Sequence, residues 1–146
     1  MPIEVPMRFE SERLLWRVED VYTPAECAQF VELIERSSPT LATDNPLYRN
    51  QDRVIRDDAE VASELFRRLR PHLTERMGDL QLVGLNPHLR FYRYRPGQHF
   101  EPHMDHWYRP SDRQITLHTV LAYFNDDFDG GETAFEDRKS LADRGA

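Results

Sequence analysis

The sequence predicts an α+β fold, with helices packed on one face of an antiparallel sheet. Three observations carry that prediction. Apolar residues recur at helical spacing in the first half of the chain. In the second half they alternate at period two. Clusters of Pro, Gly, Asn and Asp separate these segments, as turns require. A length of 146 residues fits one domain, and a chain of that size buries roughly two thirds of its unfolded surface.

The elements follow in order. "RLLWRV" at 13–18 is short, apolar and aromatic, and reads as a strand. "TPAE" at 23–26 starts a helix: Thr23 caps it, Pro24 suits its first position and Glu26 completes a capping box. Cys27, Phe30, Val31 and Ile34 form its apolar stripe, so the helix runs over 24–36. Residues 37–56 lack a period and read as mostly loop. Asp57 or Asp58 begins a second helix with Val61, Leu65, Phe66 and Leu69 on its apolar face. Pro71 breaks or kinks it, because proline removes a backbone donor. A short helical continuation then reaches Met77, and Gly78 ends it.

Beyond that point the period changes. "HLRFYRYR" at 88–95 places Leu89 and Phe91 on one face and Arg90, Tyr92 and Tyr94 on the other. "PG" at 96–97 turns the chain into an extended segment at 99–106. After a polar loop, "ITLHTVLAYF" at 115–124 is β-branched and aromatic, hence a strand. "NDDFDGG" turns again, and "ETAF" begins another short strand. The single domain thus divides into a mainly helical portion at 1–80, a strand-rich portion at 81–136 and a polar tail at 137–146.

Composition narrows the function classes. The net charge of −7 disfavours nucleic acid, whose phosphates need a basic surface. Lys139 is the only lysine among 19 basic residues. Cys27 is the only cysteine, so no disulfide forms within the chain, which fits a reducing cytoplasm. The N-terminus has neither the basic start nor the apolar run of a secretory signal. No stretch approaches the ~20 apolar residues of a membrane span.

One stretch carries chemistry. "HFEPHMDHWY" at 99–108 gathers three histidines and two acids. His103 and Asp105 are two apart, and positions i and i+2 of an extended segment project to one face. An imidazole and a carboxylate there can converge on one ion. Such a set suits non-haem Fe(II), in which two histidines and one carboxylate leave open positions for substrate and oxygen. Taken alone, H-x-D also fits an ordinary surface turn.

The flanking motifs add to it. Tyr94-Arg95-Pro96-Gly97, Phe100, His103-Met104-Asp105, Tyr123-Phe124-Asn125 and Gly130-Gly131-Glu132-Thr133 follow one another at fixed spacing. In this order they resemble the prolyl 4-hydroxylase-like group of Fe(II)- and 2-oxoglutarate-dependent dioxygenases. The resemblance covers most of residues 10–136. It implies a double-stranded β-helix, or jelly-roll, core carrying N-terminal helices. It implies His103 and Asp105 as iron ligands, with Tyr94 and Tyr123 facing the cosubstrate; strand parity puts Thr119 on the same face as Tyr123, to line that pocket with it. It implies oxidative decarboxylation of 2-oxoglutarate coupled to hydroxylation of a C–H bond in a peptide or small-molecule substrate, with ascorbate as reductant.

The sequence departs from that pattern in one respect. The family places a third histidine, and beyond it a basic residue for the distal carboxylate, several tens of residues after the G-G-E-T turn. Here no histidine follows His118. The chain therefore reads as an incomplete domain lacking the later core strands, whose unpaired edges invite self-association. Two rival functions follow: a non-catalytic binding module of the same fold, and a cupin-like metal protein that does not use 2-oxoglutarate. His99 and His106 read as polar neighbours of the pair rather than ligands. The aspartates at 126, 127 and 129 read as a solvated turn, since they lack the spacing of a calcium loop.

Overall fold

A computed structural model of the chain describes residues 15–135. The tail at 137–146 and the start of the segment at 13–18 lie outside the described residues.

Helix α1 spans Pro24–Arg36 and begins with the predicted capping box. Thr23 Oγ1 accepts from the Glu26 N–H at 3.2 Å, and the Glu26 carboxylate accepts from the Thr23 N–H at 2.8 Å. Two of the helix's orphan donors are thereby satisfied. Its stripe turns Ile34 into the core and leaves Val31 exposed. Helix α2 spans Ala59–Leu69 and is capped by Asp58, whose carboxylate accepts from the Val61 N–H at 3.0 Å. Ala62 and Leu69 are buried. Arg68 ties the two helices together: its guanidinium donates to both Glu26 oxygens, to Glu64 and to the Val21 carbonyl.

The sheet has three antiparallel strands in the order β1 (Thr40–Leu41), β2 (Asp52–Asp57) and β5 (His88–Arg93). In register, Val54 faces Phe91 and Asp52 faces Arg93. Phe91 points inward, as its parity predicts, and stacks with Phe30 of α1 at 6.3 Å. Phe124 closes this cluster, 4.5 Å from Phe30. Arg93 reaches Asp52 at 2.7 Å and Glu35 of α1 at 2.6 Å, so a charged link lies beside the aromatic one. A separate hairpin pairs β3 (Arg76–Met77) with β4 (Leu80–Gln81). Its turn contains Gly78 at φ +57°, in the left-handed region that favours glycine.

The fold class is α+β, and among the described residues no closed barrel is formed. Several local expectations need correction. Residues 37–56 are mostly loop, as expected, but β1 and most of β2 lie there unforeseen; β2 is specified by pairing with β5, not by its own mixed apolar and charged pattern. The continuation after Pro71 is one 3-10 turn, Arg70–His72, and Met77 lies in a strand. Residues 15–18, 115–124 and 132–135 join no strand, since β propensity without a hydrogen-bonding neighbour does not make a ladder. No described helix is long and apolar enough to cross a membrane.

Candidate metal centre

The segment bearing His103 is pinned to the loop before β2. The Asn50 N–H donates to the His99 carbonyl at 3.0 Å, and the Glu101 N–H donates to the Tyr48 carbonyl at 2.9 Å. Arg49 and Phe100 form an isolated antiparallel bridge between them. His99 itself turns to this loop, its Nε2 3.1 Å from the Leu47 carbonyl.

On the other side, residues 105–119 fold back on themselves. The Thr116 N–H donates to the Tyr108 carbonyl at 2.8 Å, and the Tyr108 N–H donates to Thr116 Oγ1 at 2.8 Å. Thr119 and Asp105 lie three residues further out on the two arms in the same register, and Thr119 Oγ1 donates to Asp105 Oδ2 at 2.6 Å. Residues 115–119 of the expected strand thus form one arm of an irregular turn-back, and no strand is made there.

Between these supports His103 and Asp105 converge. His103 Nε2 is 3.3 Å from Asp105 Oδ1. Two donors about 2.1 Å from one metal and at a right angle to each other are about 3.0 Å apart, so this separation is close to that of adjacent ligands. The outer contacts are also of the right kind. His103 Nδ1 lies 2.8 Å from the Glu101 carbonyl. A carbonyl only accepts, so Nδ1 carries a proton in this contact and Nε2 is the nitrogen turned to the carboxylate. A metal-binding histidine is commonly oriented by such a contact on its second nitrogen. The Asp105 oxygen bound by Thr119 is the one turned away from the imidazole. Without a proton or a cation between them, the Nε2 lone pair and Oδ1 would repel.

The other sequence-predicted residues divide. Thr119 faces the pair, but as a positioning group for Asp105. The Tyr123 hydroxyl is hydrogen-bonded to Thr133 Oγ1. Tyr94 is 49 % exposed and makes an edge contact with Tyr92 at 6.5 Å. Partial burial pushes its hydroxyl above the usual tyrosine range, and the nearby Arg49 charge works against that shift. His118 turns away from the pair, with Nε2 2.8 Å from Met77 Sδ and its ring edge-on to Trp16 at 5.2 Å. Among the described residues no group of three or more His, Cys, Asp or Glu side chains is arranged to hold a metal.

A small hollow of about 40 Å³ adjoins Asp105, bounded by Trp107, Thr116 and Thr119. That is room for one water or one ion. A larger hollow of about 280 Å³ lies between the helices, bounded by Tyr22, Phe30, Glu60 and Arg68. Arg68 there is already bound by Glu26 and Glu64, so it offers little to a ligand.

Sequence reasoning missed Arg49, which stacks on Phe100 beside the pair, and the fully buried Gln51 two residues on. Arg49 and Gln51 sit in a polar stretch whose pattern reads as loop. No local signal marks them, because their role depends on pairing with residues about fifty positions away. Comparison with family models, with curated proteins and with solved structures returns no match.

Proposed function

We propose that this chain carries part of an Fe(II)- and 2-oxoglutarate-dependent oxygenase site of the prolyl 4-hydroxylase-like kind, on a jelly-roll-like arrangement. The observation that carries this reading is the pairing of His103 Nε2 with Asp105 Oδ1 at 3.3 Å, each side chain held from behind by a hydrogen bond to its other polar atom. Tyr94-Arg95-Pro96-Gly97 and the G-G-E-T turn supply its family context.

The two residues fit two of the three protein ligands such an iron takes. When bound, the iron would supply oxygen activation driven by oxidation of 2-oxoglutarate. The chain's own part is to present the pair. The Glu101 carbonyl sets the imidazole tautomer, and Thr119 holds the carboxylate. Phe100 covers one face of the imidazole at 3.7 Å and excludes water there. A peptide or small molecule is the substrate class proposed.

The test is metal uptake by the full chain. Equilibrium dialysis against Mn(II), an inert stand-in for Fe(II), should show weak binding, lost in His103→Ala and in Asp105→Ala. Retained binding in both variants would overturn the reading. Succinate formation from 2-oxoglutarate with Fe(II) and ascorbate then measures turnover. The binding-module reading is favoured by one observation: only two of the three expected donors come together among the described residues. Metal binding without succinate formation would select it.

A further inference from the structure

Two donors of another kind meet away from the His103–Asp105 pair. His118 Nε2 lies 2.8 Å from Met77 Sδ. The residues are 41 positions apart, so tertiary folding, not local chain geometry, brings them together. Met77 belongs to β3, and Gly78 at φ +57° turns the chain from it into β4. The Met77 side chain is 8 % exposed. The Trp16 indole stands edge-on to the imidazole at 5.2 Å and shields it. One approach stays open, because the hollow of about 40 Å³ beside Asp105 also touches His118.

A thioether sulfur has no proton to give and accepts only weakly. With a proton on Nε2, the contact is an N–H···S hydrogen bond. An N–H···O bond spans about 2.9 Å, and sulfur is the larger atom, so such a bond would hold the two atoms further apart than they are. With no proton on Nε2, two lone pairs face each other, and a cation between them is what makes the contact favourable. A nitrogen about 2.1 Å and a sulfur about 2.3 Å from one metal, at a right angle, are about 3.1 Å apart. The separation between Nε2 and Sδ fits that arrangement better than the hydrogen bond.

The donor types select the ion. A thioether is a soft ligand and selects Cu(I), and imidazole suits copper as well as harder ions. Both donors are neutral, so a monovalent ion brings the least uncompensated charge into a partly buried place. Cu(I) takes wider angles than a right angle, and Met77 can open to them because methionine turns about three bonds.

We infer that Met77 and His118 form a Cu(I) site, with Sδ and Nε2 as its protein donors. The site is separate from the His103–Asp105 pair and does not rest on the oxygenase reading. A bound ion would clip the β3–β4 hairpin to the arm that carries Thr119.

The test is Cu(I) binding to the full chain, kept reduced with ascorbate, in competition with a chromophoric Cu(I) chelator. Cys27→Ala serves as the background, so that the free thiol does not capture the ion. Methionine labelled with carbon-13 in its methyl group shows by NMR which of the four methionines meets the ion. One equivalent should bind and move the Met77 methyl signal. Met77→Leu, which keeps the side chain's size, and His118→Gln should each weaken binding at least tenfold. Met104→Leu, at an exposed methionine, should leave binding unchanged. The melting temperature of Met77→Leu should stay close to that of the background, so that lost binding reports a lost donor. Cu(I) affinity that survives both Met77→Leu and His118→Gln would overturn the inference. So would a Met77 methyl signal that one equivalent leaves unmoved, a measurement that needs no variant at either donor. Mn(II) uptake by His103 and Asp105 should be equal in the background and in Met77→Leu, so failure here would leave the oxygenase reading untouched.

Discussion

Every regular helix and strand among the described residues lies between Pro24 and Arg93. From Tyr94 to residue 135 the backbone is irregular apart from isolated bridges at Phe100 and between Ser111 and Gln114. The second region is not poorer in strand-forming side chains. Val120, Leu121, Tyr123, Phe128 and Phe135 are all there, and all are exposed. The first region has capped helix ends, a strand that finds its neighbour, and Arg68 and Arg93 joining elements distant in sequence. Propensity alone does not produce a strand; a ladder partner and a face to bury do. The candidate metal pair sits just inside the weaker region, held by contacts to the stronger one on one side and by its own hairpin on the other.

Paired substitutions break this comparison most sharply. Phe91→Ala removes a ring that is 8 % exposed and should cost about 3 kcal/mol or more in urea unfolding. Leu121→Ala removes a side chain that is 53 % exposed and should change stability by no more than about 0.5 kcal/mol. Equal losses would mean that residues 115–124 are packed as tightly as the sheet.

The next test isolates the hairpin that supports Asp105. Thr119→Val removes the hydroxyl that orients the carboxylate and should weaken Mn(II) affinity about tenfold or more, with little change in the unfolding midpoint. Thr23→Ala, in the first region, should do the reverse: about 1 kcal/mol of stability lost and metal affinity unaltered.

The smallest effect expected is acid sensitivity of the helix clamp. Hydrogen bonds from Arg68 and from the Thr23 backbone hold the Glu26 carboxyl at about 2, below its ordinary 4.5. Those from Arg67 and Arg68 hold Glu64 at about 2 as well. Because both are depressed in the folded state, the unfolded chain takes up protons first. Their contribution is complete above pH 4.5 and is lost as the pH falls toward 2. Solvent and salt screen such exposed pairs, so the melting temperature should fall modestly over that window and less at high salt. Glu26→Gln should flatten the slope.

What was legible in the sequence was local. Thr23, Pro24 and Glu26 specify their helix start within four residues, and α1 has the bounds its stripe predicts. Leu89 and Phe91 show their inward parity within one strand. The H-x-D spacing likewise needs no distant information, and its two side chains do converge. What was illegible depends on partners. Asp52, Arg53 and Asp57 give β2 the look of a polar loop, and only β5, far along the chain, makes it a strand. Residues 115–124 have the opposite character: strong strand composition with no ladder to join. The Thr119 bond to Asp105 follows from hairpin register, which a list of residue types does not contain. The stack of Arg49, Phe100 and His103 joins two segments that neither pattern connects.

The edge contact between Trp16 and His118 gives the molecule an optical gauge. One of its two indoles touches a ring on the second arm of the hairpin that supports Asp105, and the same imidazole rests on the Met77 sulfur of the small β3–β4 hairpin. Detachment of that arm would change the surroundings of Trp16 while leaving the sheet intact. With Trp107 replaced by Phe, the remaining emission would report hairpin detachment separately from global unfolding.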